Sequence, residues 1–435
     1  MRQRSVSLLI CLICIGLVLS GCSFSLSIGK DPTSNANVGK PVDLMADIKA
    51  GKWHETPKVP GQAALQGISL FSARLLQESS KNSGNVMISP TSVFLALAMT
   101  VNGADRETKD AMLAVLADQN LTVDEINQVS RDWMALLEKS DSKTQISIAN
   151  SIWFRDGFVP YQPFLQSNAD YFKAGARALD FADDKAPDII NGWVKDATHD
   201  LIDKIVDKIS PTTIMYLINA IYFKADWMTP FEKHETWEQD FQTPEGIIKV
   251  DFMHRTAPMQ YFNGLEASGV ALPYHNEQFA YFAILPDDDI DPRTWLNKQD
   301  PAVLFSNISA MMAQKTNTTV TLGLPRYEVS FADSLINELE TLGMGIAFDG
   351  SAADFSRLNE ARTKGLFISE VKHKTVIRVD EKGTEAAAVT SVAIDESANW
   401  ADTELTFDRP FVYGIMDLKT NLPLFVGILE DPTGD

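Results

Sequence analysis

The stretch Glu381–Thr390, EKGTEAAAVT, decides how this chain is to be read. The segment before it, SEVKHKTVIRVD, alternates as a buried strand does. A glycine, a threonine and a run of alanines follow, and then the exposed-looking DESAN. By composition alone EAAAVT is helical, because alanine is the best helix former. Alternation points the other way. Thr384, Ala386, Ala388, Thr390, Val392 and Ile394 form an uncharged set ending in bulky aliphatics, while Glu385, Ala387, Val389, Ser391, Ala393 and Asp395 carry charge at both ends. That is a half-buried strand running into a polar tip. The stretch is written for two states, loop and strand.

At 435 residues and 45% hydrophobic content, the chain has enough apolar mass for a large core. MRQR, the apolar SLLICLICIGLVL and the closing LSGC have the three parts of a secretory signal, expected over residues 1–21. Leu19-Ser20-Gly21-Cys22 resembles the bacterial lipobox, which implies a lipid on Cys22; the other reading is an uncleaved membrane anchor. Cys11 and Cys14 leave with the signal, so the mature chain is expected to have no disulfide. Losing Arg2 and Arg4 takes the formal charge from −20 to −22. Such acidity argues against nucleic acid as a partner and against attraction to anionic headgroups. The lipid, rather than surface charge, would hold the chain at a bilayer.

Residues 22–60 read as a lipidated N-terminus and tether, rich in Ser, Gly, Asn and Pro, with one apolar patch, VDLMADIKAGKW, that either docks on the body or belongs to the spacer. The folded domain is expected over 61–435. Helical spacing marks Leu65 to Leu76, SPTSVFLALAMTVNGA, TKDAMLAVLAD, EINQVSRDWMALLEK, DIINGWVKDATHDLI and SLINELETLGM. QISIANSIWFR, TTIMYLINAIYFKADW and VTLGLPRYEVSF read as strands. Helices gather early and strands late, which predicts α+β.

The six histidines have no ligand-like spacing, HETWE is not HExxH, and no G-x-S-x-G elbow, phosphate loop or dinucleotide fingerprint occurs. Neither an enzyme nor a cofactor is expected.

The motifs NVMISPTSVFLALAM, NGADRET, IANSIWF, INGWVKDAT, LINAIYFKADWMTPF, LPRYEVSF, EVKHKTVIRVDEKGTEAAAVT and RPFVYGIMDLKTNLPLFVGILEDP follow one another in the order of a known family. The chain resembles the serpins, serine protease inhibitors, from about Gln62 to Pro432. The resemblance implies a single α+β fold with three β-sheets, about eight or nine helices and an exposed reactive-centre loop. It implies a suicide-substrate inhibitor of serine proteases, possible also against papain-like cysteine proteases, in which the cleaved loop enters the main sheet and carries the acylated protease with it. The opposing reading is a non-inhibitory serpin-fold binding protein of the cell envelope. The hinge is Glu381, Gly383, Thr384, Glu385, Ala386, Ala387 and Ala388, where small inward residues slip between packed strands and Gly383 frees the pivot. The family's shutter falls on Ser89, Ser92, Asn219 and His373, and its breach on Trp227. With Glu381 as the seventeenth residue before the cut, the scissile bond is Ser397–Ala398; counting back from FDRPF gives Asn399–Trp400, and cleavage after Asp395 or Glu396 is a further alternative. Ser397 before Ala398 suits a serine protease with a small primary pocket, elastase-like or subtilisin-like. The implied protein is an exported monomer, lipid-anchored to a bacterial cell envelope and facing outside the cytoplasm.

Overall fold

The structure, a computed structural model, describes residues 39–53, 56–118, 121–138, 141, 143–210, 213–314, 318–384 and 401–434. Among these residues there are nine α-helices: α1 Gln62–Ser79, α2 Pro90–Val101, α3 Arg106–Ala117, α4 Val123–Leu137, α5 Gln162–Phe172, α6 Ala186–Ala197, α7 Pro292–Lys298, α8 Leu304–Met312 and α9 Ile336–Leu339. Their ends follow local chemistry. Ser89 caps α2 with Pro90 in its first turn, and Thr122 with Glu125 closes a reciprocal capping box on α4.

Three sheets carry the fold, as expected. The main sheet has the order β1 (Val42–Asp43), β4 (Gly175–Leu179), β3 (Thr144–Arg155), β5 (Met215–Asp226), β14 (Gly383–Thr384), β13 (Lys372–Val379) and β12 (Tyr327–Ser334). The second sheet runs β2 (Val86–Ile88), β17 (Leu422–Leu429), β16 (Phe411–Asp417), β10 (Phe279–Pro286), β9 (Ala267–Pro273) and β8 (Gln260–Gly264). The third runs β15 (Thr403–Thr406), β11 (Thr319–Pro325), β7 (Gly246–Pro258) and β6 (Thr236–Thr243). Strands β10, β16 and β17 are buried along their whole length, which is why FAYFAILP and LPLFVGIL are continuously apolar rather than alternating. The main core lies between the sheets and α1–α4, while α6 covers the opposite face of the main sheet by packing Ile190 and Val194 near Trp153 and Ile218.

Two elements differ from the sequence reading. VTLGLPRYEVSF is two strands in two sheets: β11 ends at Pro325 opposite Phe252, and β12 begins at Tyr327 opposite Val379. SLINELETLGM is helical only from Ile336 to Leu339 before the winding widens and Gly343 turns to φ +113°. A positive φ is open to glycine at little cost, and it ends regular α-helix there.

The apolar patch before the domain docks. β1 extends the main sheet along β4, with Val42 opposite Ala178 and Asp43 opposite Arg177. Beyond it Leu44, Met45, Ile48 and Trp53 pack against the core, and the Lys173 ammonium sits 4.1 Å from the Trp53 ring centre. No helix among the described residues is long and apolar enough to cross a membrane.

Candidate functional site

The chain turns sharply after β13. Asp380 N–H donates to Gly383 O (3.0 Å), and the Asp380 carboxylate accepts the N–H groups of Lys382 (2.8 Å) and Gly383 (3.3 Å). Burial raises the Asp380 pKa above the usual carboxylate range, against the pull of those two N–H donors. The turn sends Gly383 and Thr384 back as β14, wedged between β5 and β13: Thr384 lies opposite both Val379 and Ala225, and Gly383 opposite Asp226. Glycine is needed at 383 for space. A Cβ there would lie 2.0 Å from Ala225 O, so the expected pivot is also a point of close backbone approach.

Three groups fasten this turn. Trp227 N–H donates to Lys382 O (2.7 Å), Phe231 N–H to Glu381 O (2.7 Å), and the Trp227 indole N–H to Asp380 O (2.9 Å). Tyr274 stacks on Trp227 with ring centres 4.7 Å apart and planes 10° from parallel. Its hydroxyl meets Thr384 Oγ1 at 2.6 Å, and burial raises its pKa so that the phenol stays neutral. Nothing in the sequence separated Tyr274 from any other strand tyrosine. Tyr274→Phe removes the bond and leaves the buried Thr384 hydroxyl unpaired, at a cost of about 1–3 kcal/mol. Urea unfolding should report the loss, with the m-value unchanged.

Below Thr384 the described residues show no pairing between β5 and β13. Toward the other end of β5 and β13 lies a cavity of about 80 Å³, lined by Ser92, Leu217, Asn219, Ile368, Val371 and His373. The expected shutter residues meet at its floor. Ser89 Oγ accepts the Ser92 N–H (3.2 Å), Ser92 Oγ donates to Asn219 O (3.3 Å), and Ser89 N–H donates to His373 Nε2 (3.0 Å). An Nε2 that accepts a bond carries no proton, so His373 is neutral; burial pushes its pKa down to about 4. Asn150, not singled out in the sequence, joins the cluster: Asn219 Nδ2 donates to its Oδ1 (2.7 Å), and Asn150 Nδ2 donates to Phe172 O (2.7 Å). Thr375 Oγ1 donates to Met87 O (2.7 Å) on the same strand as His373. The available signal was a polar residue at an inward strand position, since burial on β3 alternates up to Asn150.

Glu381, Gly383, Thr384, Ser89, Ser92, Asn219, His373 and Trp227 thus fall into two clusters joined by β5 and β13. Glu385, Ala386, Ala387, Ala388, both scissile candidates (Ser397–Ala398 and Asn399–Trp400) and Cys22 lie outside the described residues. No group of three His, Cys, Asp or Glu side chains among the described residues could hold a metal ion.

A short strand thus enters the main sheet between β5 and β13, which show no pairing with each other among the described residues. The family model described as "Serpin (serine protease inhibitor)" matches residues 66–432, and the chain belongs to the serpin family, whose members act without catalysing a reaction of their own. Human serpin B8 is 32% identical over 377 residues, covering 84% of this chain and 97% of its own. The bovine leukocyte elastase inhibitor is 29% identical over 358 residues, covering 80% and 93% respectively. Among solved structures, the thermophilic serpin tengpin in its native state matches with TM-score 0.83 and 36% identity, over 90% of this chain and all of that one.

Proposed function

We propose that this serpin is a suicide-substrate inhibitor of serine proteases, and that it traps the acyl-enzyme by drawing its cleaved loop into the main sheet. One observation carries the reading: Gly383 and Thr384 already stand as the first residues of a strand between β5 and β13, which show no pairing with each other among the described residues. Continued insertion gives each following residue ladder hydrogen bonds on both sides, each worth roughly 0.5–1.5 kcal/mol. The inward positions Ala386, Ala388 and Thr390 are small enough to enter without displacing packed neighbours. The relatives' names, which include an elastase inhibitor, support the target class. Ser397–Ala398 as the scissile bond suits an elastase-like or subtilisin-like protease with a small primary pocket. A lipid on Cys22 would anchor the protein to a bacterial envelope outside the cytoplasm.

The test is incubation of the body with elastase-like, subtilisin-like, trypsin-like and glutamyl-specific proteases, read on denaturing gels and by mass spectrometry of the released C-terminal fragment. A denaturant-resistant adduct with an elastase-like or subtilisin-like enzyme, and a fragment beginning at Ala398, are the expected results. Clean cleavage with no adduct and no rise in melting temperature would replace this reading with a serpin-fold binding protein of the envelope.

A further inference from the structure

The main sheet gives the molecule a direction, and the docked N-terminal strap has a place along it. Thr144, at the start of β3, pairs with Ala225, which is also the partner of Thr384. The start of β3 is therefore level with the hinge. β4 pairs in parallel with the other end of β3, where Arg177 stands opposite Trp153. Nine residues of strand separate Thr144 from Trp153, about 30 Å at about 3.3 Å per residue.

β1 runs antiparallel to β4, so the chain enters it from the end away from the hinge and climbs toward the hinge. Gly39 agrees with that direction: a Cβ there would lie 4.0 Å from Asp183 Oδ2, just past the far end of β4. The strap is then fastened along its length. Leu44 N–H donates to Ala176 O (2.9 Å), Gly51 N–H to Asp170 Oδ1 (2.6 Å), and Gln166 Nε2 to Lys49 O (2.8 Å). Asp183 beside Gly39 and Asp156, whose N–H donates to Leu179 O, place acidic residues at the exit. A net negative surface gains nothing from contact with anionic headgroups.

We propose that the docked strap orients the body on a bilayer, with the strap-exit pole toward the lipid and the reactive-loop pole toward solvent, so that the protease partner is one arriving from the aqueous side. The proposal rests on the reading that Cys22 carries lipid. From Cys22 to Gly39 the chain spans at most about 60 Å at full extension, and it pulls on the pole farthest from Thr384. With the strap released, the tether would lengthen by the stretch from Gly39 to Gly61, up to about 75 Å more, and its pull would no longer be fixed to that pole.

The experiment uses the mature chain coupled through the Cys22 thiol to a maleimide lipid in phosphatidylcholine vesicles, with acceptor dye on the headgroups. A bioorthogonal fluorophore replaces Lys143, exposed at the hinge end of β3, in one sample and Val159, 70% exposed beyond the far end of β3, in another. Energy transfer severalfold stronger from 159 than from 143 is expected. The double variant V42P/W53A should collapse that difference, while its unfolding midpoint shows that the body remains folded. Equal or reversed transfer, or a difference that survives strap release in a folded variant, overturns the proposal. Acylation of Cys22 is read separately by mass spectrometry of chain extracted from membranes. Its absence would overturn the lipid reading and the proposal with it, and unequal transfer would then describe only the artificially anchored chain.

Discussion

Replacing Thr384 with arginine is expected to turn the inhibitor into a substrate. Thr384 is buried between β5 and β13 with its hydroxyl on Tyr274, and it is the first inward residue of the strand that the loop must extend. An arginine there would carry a charge and a long side chain into the buried place of the Thr384 hydroxyl beside Tyr274, and burying a charge costs several kcal/mol. On the proposed mechanism, trapping requires insertion to outrun hydrolysis of the acyl-enzyme. A barrier raised by about 3 kcal/mol slows insertion by more than about 100-fold. Gel densitometry should therefore show the covalent adduct replaced almost wholly by cleaved chain, and the cleaved T384R chain should gain less melting temperature than the cleaved wild type. Thr384→Ser keeps the hydroxyl and should trap as the wild type does. If T384R trapped normally, insertion would have to begin somewhere other than β14.

Acid should weaken the native state through His373. Its ring is neutral because Nε2 accepts the Ser89 N–H, and its pKa of about 4 lies below the ordinary 6.5 because the site is fully buried. The unfolded chain takes up a proton near pH 6.5, whereas the folded chain refuses it until about pH 4. Stability from this group is therefore complete above pH 6.5 and is lost as pH falls toward 4, by about 3 kcal/mol in all. Asp333 stands opposite His373 across the β12–β13 ladder, yet the described residues show no ion pair between them. The difference in unfolding free energy between wild type and H373Q, followed from pH 7.5 to 4.5, should shift by roughly 2–3 kcal/mol against the wild type. Other titrating groups cancel in that difference. A constant difference across the range would mean that the imidazole is not buried in its neutral form.

Much of this was legible in the residues because local and tertiary demands agree there. β5 sits inside a sheet and is written apolar; α4 carries a capping box; Gly383 stands where any side chain would meet Ala225 O. Where one run of residues serves two sheets, as across Arg326, the apolar set shifts phase at Pro325 from Val320, Leu322 and Leu324 to Tyr327, Val329 and Phe331, which marks a break without saying that the second strand joins another sheet. Tyr274 and Asn150 act through partners more than a hundred and about seventy residues away in sequence, and a single side chain carries no record of such partners. The strap was ambiguous for a related reason. Its strand is two residues long, too short for any periodicity to register.

That short strand also decides what the sheet offers to another molecule of its kind. Without β1, the outer rim of β4 would present the free backbone donors and acceptors of Gly175–Leu179, a ready template for a foreign strand. β1 covers that rim and presents little of its own: Pro41, just before it, has no N–H to give, and Asp43 places a charge on the new border. The strap thus acts as a stopper against edge-to-edge self-association, and a chain shortened past Trp53 would expose an open border along which copies could assemble.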